Sequence, residues 1–200
     1  MADQSRGRPG WLHVGPLEER LTRAWPTGTF PSAENLLAIM TIAAIPRALA
    51  TQLAGHLAGG IIIGPGAVPD LPGFEHLRSI PLPLQAGEWD RSAGVYDPQT
   101  RRIGIGSVPT PSVSVAAHEV AHALDHAQGA PSRSPFWVTL HAQLASRLAP
   151  PYRHDVGELF AESFAAALTK RARRLIQLMG DDEPSAQQVY TWLAGRYGIG

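Results

Sequence analysis

The sequence predicts an α+β fold, with a small mixed sheet packed on a histidine-bearing helix and a mainly helical C-terminal half. Three observations carry this prediction. Short β-rich runs lie in the first half: Ile61-Ile62-Ile63, then Gly94-Val95-Tyr96 and Arg101-Arg102-Ile103-Gly104-Ile105 around the turn Asp97-Pro98-Gln99-Thr100, which reads as a hairpin. From residue 112 onward, helical spacing and helix signals dominate. Between the two halves lies His118-Glu119-Val120-Ala121-His122, two imidazoles one helical turn apart in an otherwise apolar stretch.

Residues 1–34 mix Pro, Gly and charge and read as a loosely attached arm, with a short helix around Leu17 to Trp25. Residues 35–200 then form the main domain. The most apolar stretch, Leu36 to Pro46, is too short to span a bilayer and meets Arg47, so it reads as core or as a contact surface. From Pro46 a helix carries Leu49, Leu53, His56 and Leu57 and stops at Gly59-Gly60, with His56 as a packed or surface residue. Ser134-Pro135 opens a helix through about Leu148, and Pro150-Pro151 follows it. A helix bearing Glu158 and Glu162 runs on through the basic cluster Lys170-Arg171-Ala172-Arg173-Arg174 to Gly180. The cluster favours the helix dipole and reads as a solvated face. A final helix spans Pro184 to Arg196.

The spacing of His118, Glu119 and His122 is that of zinc hydrolases. The two imidazoles can hold one metal ion, and the carboxylate stands beside the open coordination position. A helix that is apolar except for His and Glu needs partners for them, because burying an unpaired ionisable group costs several kcal/mol. A catalytic zinc takes a third protein ligand. His126 continues the series, but an unbroken helix places it about 12 Å from His118, too far to share the ion. Position 128, six residues after His122, is Gln and offers no imidazole. Glu158 is the strong candidate: Glu158 and Glu162 lie one turn apart, so one carboxylate can bind the metal and the other, Glu162, can orient a ligand histidine. Asp155-x-x-Glu158 is equally the spacing of a capping box, with Glu162 solvated.

Glu158-Leu-Phe-Ala-Glu162-Ser-Phe, following His118-Glu-Val-Ala-His122, resembles the catalytic domain of the anthrax lethal factor type of zincin metallopeptidases, which also include Pro-Pro endopeptidases. The resemblance covers roughly residues 45–195, and its specific motifs lie on the two helices. It implies a zincin-like fold, one zinc ion on His118, His122 and Glu158, and Glu119 as general base. The family places a tyrosine seven residues before the glutamate ligand to stabilise the transition state. Here that position is Pro151; Tyr152, one residue later, and His154 are the candidates. In zincins the strand before the metal helix lies along the cleft, so Ile103, Gly104 and Ile105 are the candidate strand for pairing with an extended substrate.

The implied function is zinc-dependent endopeptidase activity on a peptide or protein substrate. The alternative is a catalytically silent zincin-like module that binds a peptide or partner. A structural zinc would need a fourth ligand such as Asp125 or His126. A net charge of zero gives no reason to expect nucleic acid as a partner, and the absence of Cys removes thiolate ligation, including the cysteine ligand of peptide deformylases. Neither a signal peptide nor a membrane span is evident, which fits a cytoplasmic chain or one exported by a non-classical route. The sequence leaves oligomeric state open.

Overall fold

The computed structural model describes residues 12–26, 28–80 and 89–199. The polar opening segment Met1 to Gly10 lies outside the described residues. The chain divides into two compact units, Met1–Pro111 and Ser112–Gly200.

The first unit holds a four-stranded mixed sheet of order β1-β2-β4-β3: β1 Leu21–Arg23, β2 Gly60–Ile63, β3 Gly94–Asp97 and β4 Arg102–Ile105. β1 and β4 both run parallel to β2, while β3 and β4 form the antiparallel hairpin that the sequence predicts. Two helices join them, α1 Ala33–Ala43 and α2 Arg47–His56. Residues 15–23 correct the expected arm and its helix. Gly15–Arg20 is a 3-10 turn that buries Leu17 completely, and it feeds β1 into the sheet. The β-region pattern wins there because Leu21–Arg23 finds a partner in Ile61–Ile63. On one face, Ile62 packs with Val68, Leu71, Phe74 and Leu77, and Ala24, Trp89 and Val95 close over them. His56 is a packing residue, its Nε2 2.8 Å from the Tyr96 hydroxyl. Among the described residues no single helix is long and apolar enough to cross a membrane; α1 and α2 meet that test only as a pair bent by 106°.

The topology also corrects the proposed substrate strand. β4 is an interior strand, paired with β2 on one side and β3 on the other over Arg102–Ile105. Ile103 and Ile105 are buried, and Gly104 lies beneath the Phe74 ring, where an added Cβ would come within 2.8 Å of Cε2. The edge beside the hairpin belongs to β3.

The second unit is all helix: α3 Val115–Ala127, α4 Pro135–Leu144, α5 Pro150–His154, α6 Val156–Leu168, α7 Ala172–Leu178 and α8 Glu183–Tyr197. α6 is buried without interruption from Leu159 to Ala167, as its run of Ala, Leu and Phe requires. Trp137 of α4, Phe160 and Phe164 of α6, and Trp192 and Tyr197 of α8 pack edge to face around it, with ring centroids 5.3 Å apart for Trp137–Phe160 and 5.4 Å for Phe164–Tyr197. The helix expected to carry Glu158 and Glu162 and run on to Gly180 is two helices. After Leu168, Lys170 takes the left-handed conformation (φ 57°); the Arg171 N–H then bonds to the Ala166 carbonyl and the Lys170 N–H to that of Ala167. These are the two bonds of a Schellman stop, here built on Lys in place of the usual Gly.

Candidate metal centre

α3 starts where Ser114 accepts the Ala117 N–H. It buries Ala116, Ala117, Val120, Ala121 and Leu124, leaving His118 and His122 together on a face one turn apart. α6 packs beside α3. Asp155 caps α6 by accepting the Gly157 N–H at 2.7 Å, while the Glu158 carboxylate reaches across to the histidines.

Three donor groups therefore meet. His118 Nε2 and His122 Nε2 are 3.1 Å apart, and Glu158 places Oε2 3.3 Å from the first and Oε1 3.3 Å from the second. Bonds of about 2.0–2.1 Å to a tetrahedral zinc require donors roughly 3.3–3.4 Å apart, so this His-His-Glu triangle has the size and chemistry of a zinc donor set. It is open on one side, with the Glu158 side chain 39% and the His122 side chain 25% exposed. Among the described residues no fourth ligand joins the group. His126 is exposed, and Asp125 accepts the Ser132 N–H and hydroxyl at 2.7 and 2.8 Å, so neither supplies the fourth ligand that a structural site needs.

Glu162 lies at the next level inward, 1% exposed. Its Oε2 accepts from the Ser112 hydroxyl at 2.7 Å and lies 3.2 Å from His118 Nδ1, and its Oε1 accepts the Val113 N–H at 3.0 Å. A proton on Nδ1 facing Glu162 leaves the Nε2 lone pair for the metal. Glu119 is buried, and its charge acts on His118.

The histidines and carboxylates of this corner shift one another's protonation. Burial pulls the His118 pKa down, but the hydrogen bonds to Glu158 and Glu162 prevail and raise it to about 10. Hydrogen bonds from His118 and His122 hold Glu158 well below the ordinary carboxylate range, against its burial. Burial raises Glu162, yet bonds from His118, Ser112 and Val113 leave it lowered. A divalent cation on the triangle would supply the charge that a protonated His118 otherwise provides.

Of the two candidate donors, Tyr152 approaches the site and His154 does not. The Tyr152 phenol is half-buried, lies 3.4 Å from Arg174 Nη2, and is close enough for the charges of Glu162 and Glu158 to act on it. Its backbone is held where the His141 ring meets the Tyr152 carbonyl at 2.8 Å. His154 is exposed and joins none of these contacts. α5 itself, with Pro150 at its first position, was not legible in a segment read as a stop. Ser112 and Arg174 are also additions from the structure: hydroxyl and guanidinium reach Glu162 from sequence positions that carry no motif.

No family model matches the chain, and no curated protein does. Among solved structures, the chain is similar to the Pro-Pro endopeptidase PPEP-2 from Paenibacillus alvei, with a TM-score of 0.69 and 19% identity over 92% of this chain and 100% of that one. The chain accordingly shares the α+β fold of that structure.

Proposed function

We propose that the protein is a zinc-dependent endopeptidase. The observation that carries this reading is the open triangle of His118 Nε2, His122 Nε2 and the Glu158 carboxylate, sized for one zinc ion and adjoined by Glu119 in the sequence and on the helix. When bound there, zinc supplies Lewis acidity toward a carbonyl and makes water a nucleophile near neutral pH. Glu119 is the general base: it accepts a proton from the attacking water and returns it to the amine nitrogen as the C–N bond breaks. Glu162 fixes the His118 ring through Nδ1, and Tyr152 donates its O–H to the oxygen of the scissile carbonyl as negative charge develops. The substrate is a peptide or protein, in keeping with the fold shared with an endopeptidase.

The test is cleavage of a diverse peptide library by zinc-loaded wild type and by Glu119→Gln, with zinc content measured on both. Removal of a general base lowers rate by about 10² to 10⁴ and leaves the ligands intact. The expected result is one zinc in each protein and turnover in wild type only. Equal cleavage by both would overturn the assignment of Glu119, and zinc-loaded wild type that cleaves nothing would overturn the peptidase reading.

A further inference from the structure

Arg174 belongs to a basic cluster that has every mark of a solvated helix face, yet its guanidinium does not simply project into water. The Schellman stop at Lys170 turns the chain before α7, and Arg174 then reaches back along α6. Its Nη2 stands 3.4 Å from the Tyr152 phenol oxygen and 3.4 Å from Glu162 Oε1. We propose that Arg174 is a positioning residue for the Tyr152 phenol, turning its O–H outward for donation to the substrate oxygen. The proposal rests on the peptidase reading above.

The chemistry follows from the donor inventory. A guanidinium has donors and no acceptor, so in this contact the phenol oxygen must accept. A phenol carries a single proton. With one lone pair committed to Arg174, that proton is directed away from the guanidinium and is free to be donated. A positive group at the oxygen also strengthens the O–H as a donor, since hydrogen bonds in a chain polarise one another. The surroundings make such help useful: burial first, and then the charge of Glu162, push the phenol pKa up, and Arg174 acts in the opposite direction.

The competing role for Arg174 is to neutralise Glu162. The distances weigh against it. Glu162 already takes Ser112 Oγ at 2.7 Å, the Val113 N–H at 3.0 Å and His118 Nδ1 at 3.2 Å, each nearer than Arg174. Removal of the guanidinium leaves this carboxylate with partners on both oxygens, whereas Tyr152 loses a donor that orients it. The two roles separate cleanly in experiment, because support of Glu162 acts on the metal and support of Tyr152 acts on turnover.

The test combines a double-mutant cycle with a spectroscopic readout that does not depend on activity. Zinc-loaded wild type, Arg174→Ala, Tyr152→Phe and the double variant are compared for kcat, KM and zinc affinity by chelator competition, with Arg174→Lys as the conservative replacement. Arg174→Ala should lower kcat about tenfold with KM unchanged, hold zinc within about threefold of wild type, and cause no further loss in the Tyr152→Phe background. Arg174→Lys should restore part of kcat. In parallel, the chain is labelled with ¹³C-tyrosine, and the Tyr152 Cζ resonance is assigned by its disappearance in Tyr152→Phe. That resonance should shift in Arg174→Ala with and without zinc, while those of Tyr96, Tyr190 and Tyr197 stay in place. An unmoved Tyr152 resonance, additive losses of kcat, or a large loss of zinc affinity would each overturn the proposal. If wild type cleaves nothing, the peptidase reading fails and takes the catalytic half of the proposal with it; the resonance still decides whether Arg174 holds the phenol.

Discussion

Glu162 places its Oε2 3.2 Å from His118 Nδ1, and a proton held there would leave Nε2 to a metal. Replacing it with Ala removes the acceptor facing Nδ1 and the carboxylate to which the Ser112 hydroxyl and the Val113 N–H donate. Zinc affinity should fall about 10- to 100-fold, measured by chelator competition; an affinity within twofold of wild type would show that the ring needs no such support. His118, His122, Glu158 and Glu162 were legible in the sequence because each pair obeys the one-turn rule, which is local. Arg174 was not legible, since a basic residue in a basic run has the same local pattern whether it meets water or a buried carboxylate. Ile103, Gly104 and Ile105 show the opposite failure. The hairpin pattern identified a strand, but whether that strand is an edge is fixed by its pairing with both β2 and β3, and the pairing with β2 is one that no local pattern encodes.

At the level of elements, the α6–α7 break was missed because the usual sign, Gly at the left-handed position, is absent. Lys170 holds φ 57° at a position where a Cβ is unfavourable, and its side chain is exposed. Lys170→Gly relieves that cost without removing a buried contact, so the variant should be more stable by about 0.5–1 kcal/mol in urea unfolding. A loss of stability would mean that the Lys side chain contributes more than its conformation costs. The starts of α3 and α6 obey local rules. Ser114 and Asp155 cap α3 and α6 through side-chain oxygens, and both precede apolar runs with helical spacing. Residues 15–23 were harder, because a three-residue strand has too little pattern of its own and exists through its pairing with β2.

For the whole molecule, metal binding and protonation are linked. The folded, metal-free chain holds His118 at about 10, above the ordinary 6.5, so its contribution to stability is complete below pH 6.5 and is lost as pH rises toward 10. Glu158 is shifted downward, so its contribution is present above the ordinary carboxylate range and is lost as pH falls through its folded value. Zinc requires neutral His118, and its binding near pH 7 must release that proton. Affinity should therefore rise by up to about tenfold per pH unit between 6.5 and 9, and calorimetry in two buffers of different ionisation enthalpy should register close to one proton released per ion. A pH-independent affinity would exclude a protonated His118 in the free chain. The burial of α6 on every side from Leu159 to Ala167 has one more consequence. Glu158 and Glu162 are carried by a segment locked into an aromatic core that owes nothing to the ion, unlike small domains that fold only around their metal. Loss and recovery of zinc should then proceed as simple exchange at a ready-made seat, at a pace set by how quickly the ion arrives and sheds its water rather than by any rebuilding of the chain.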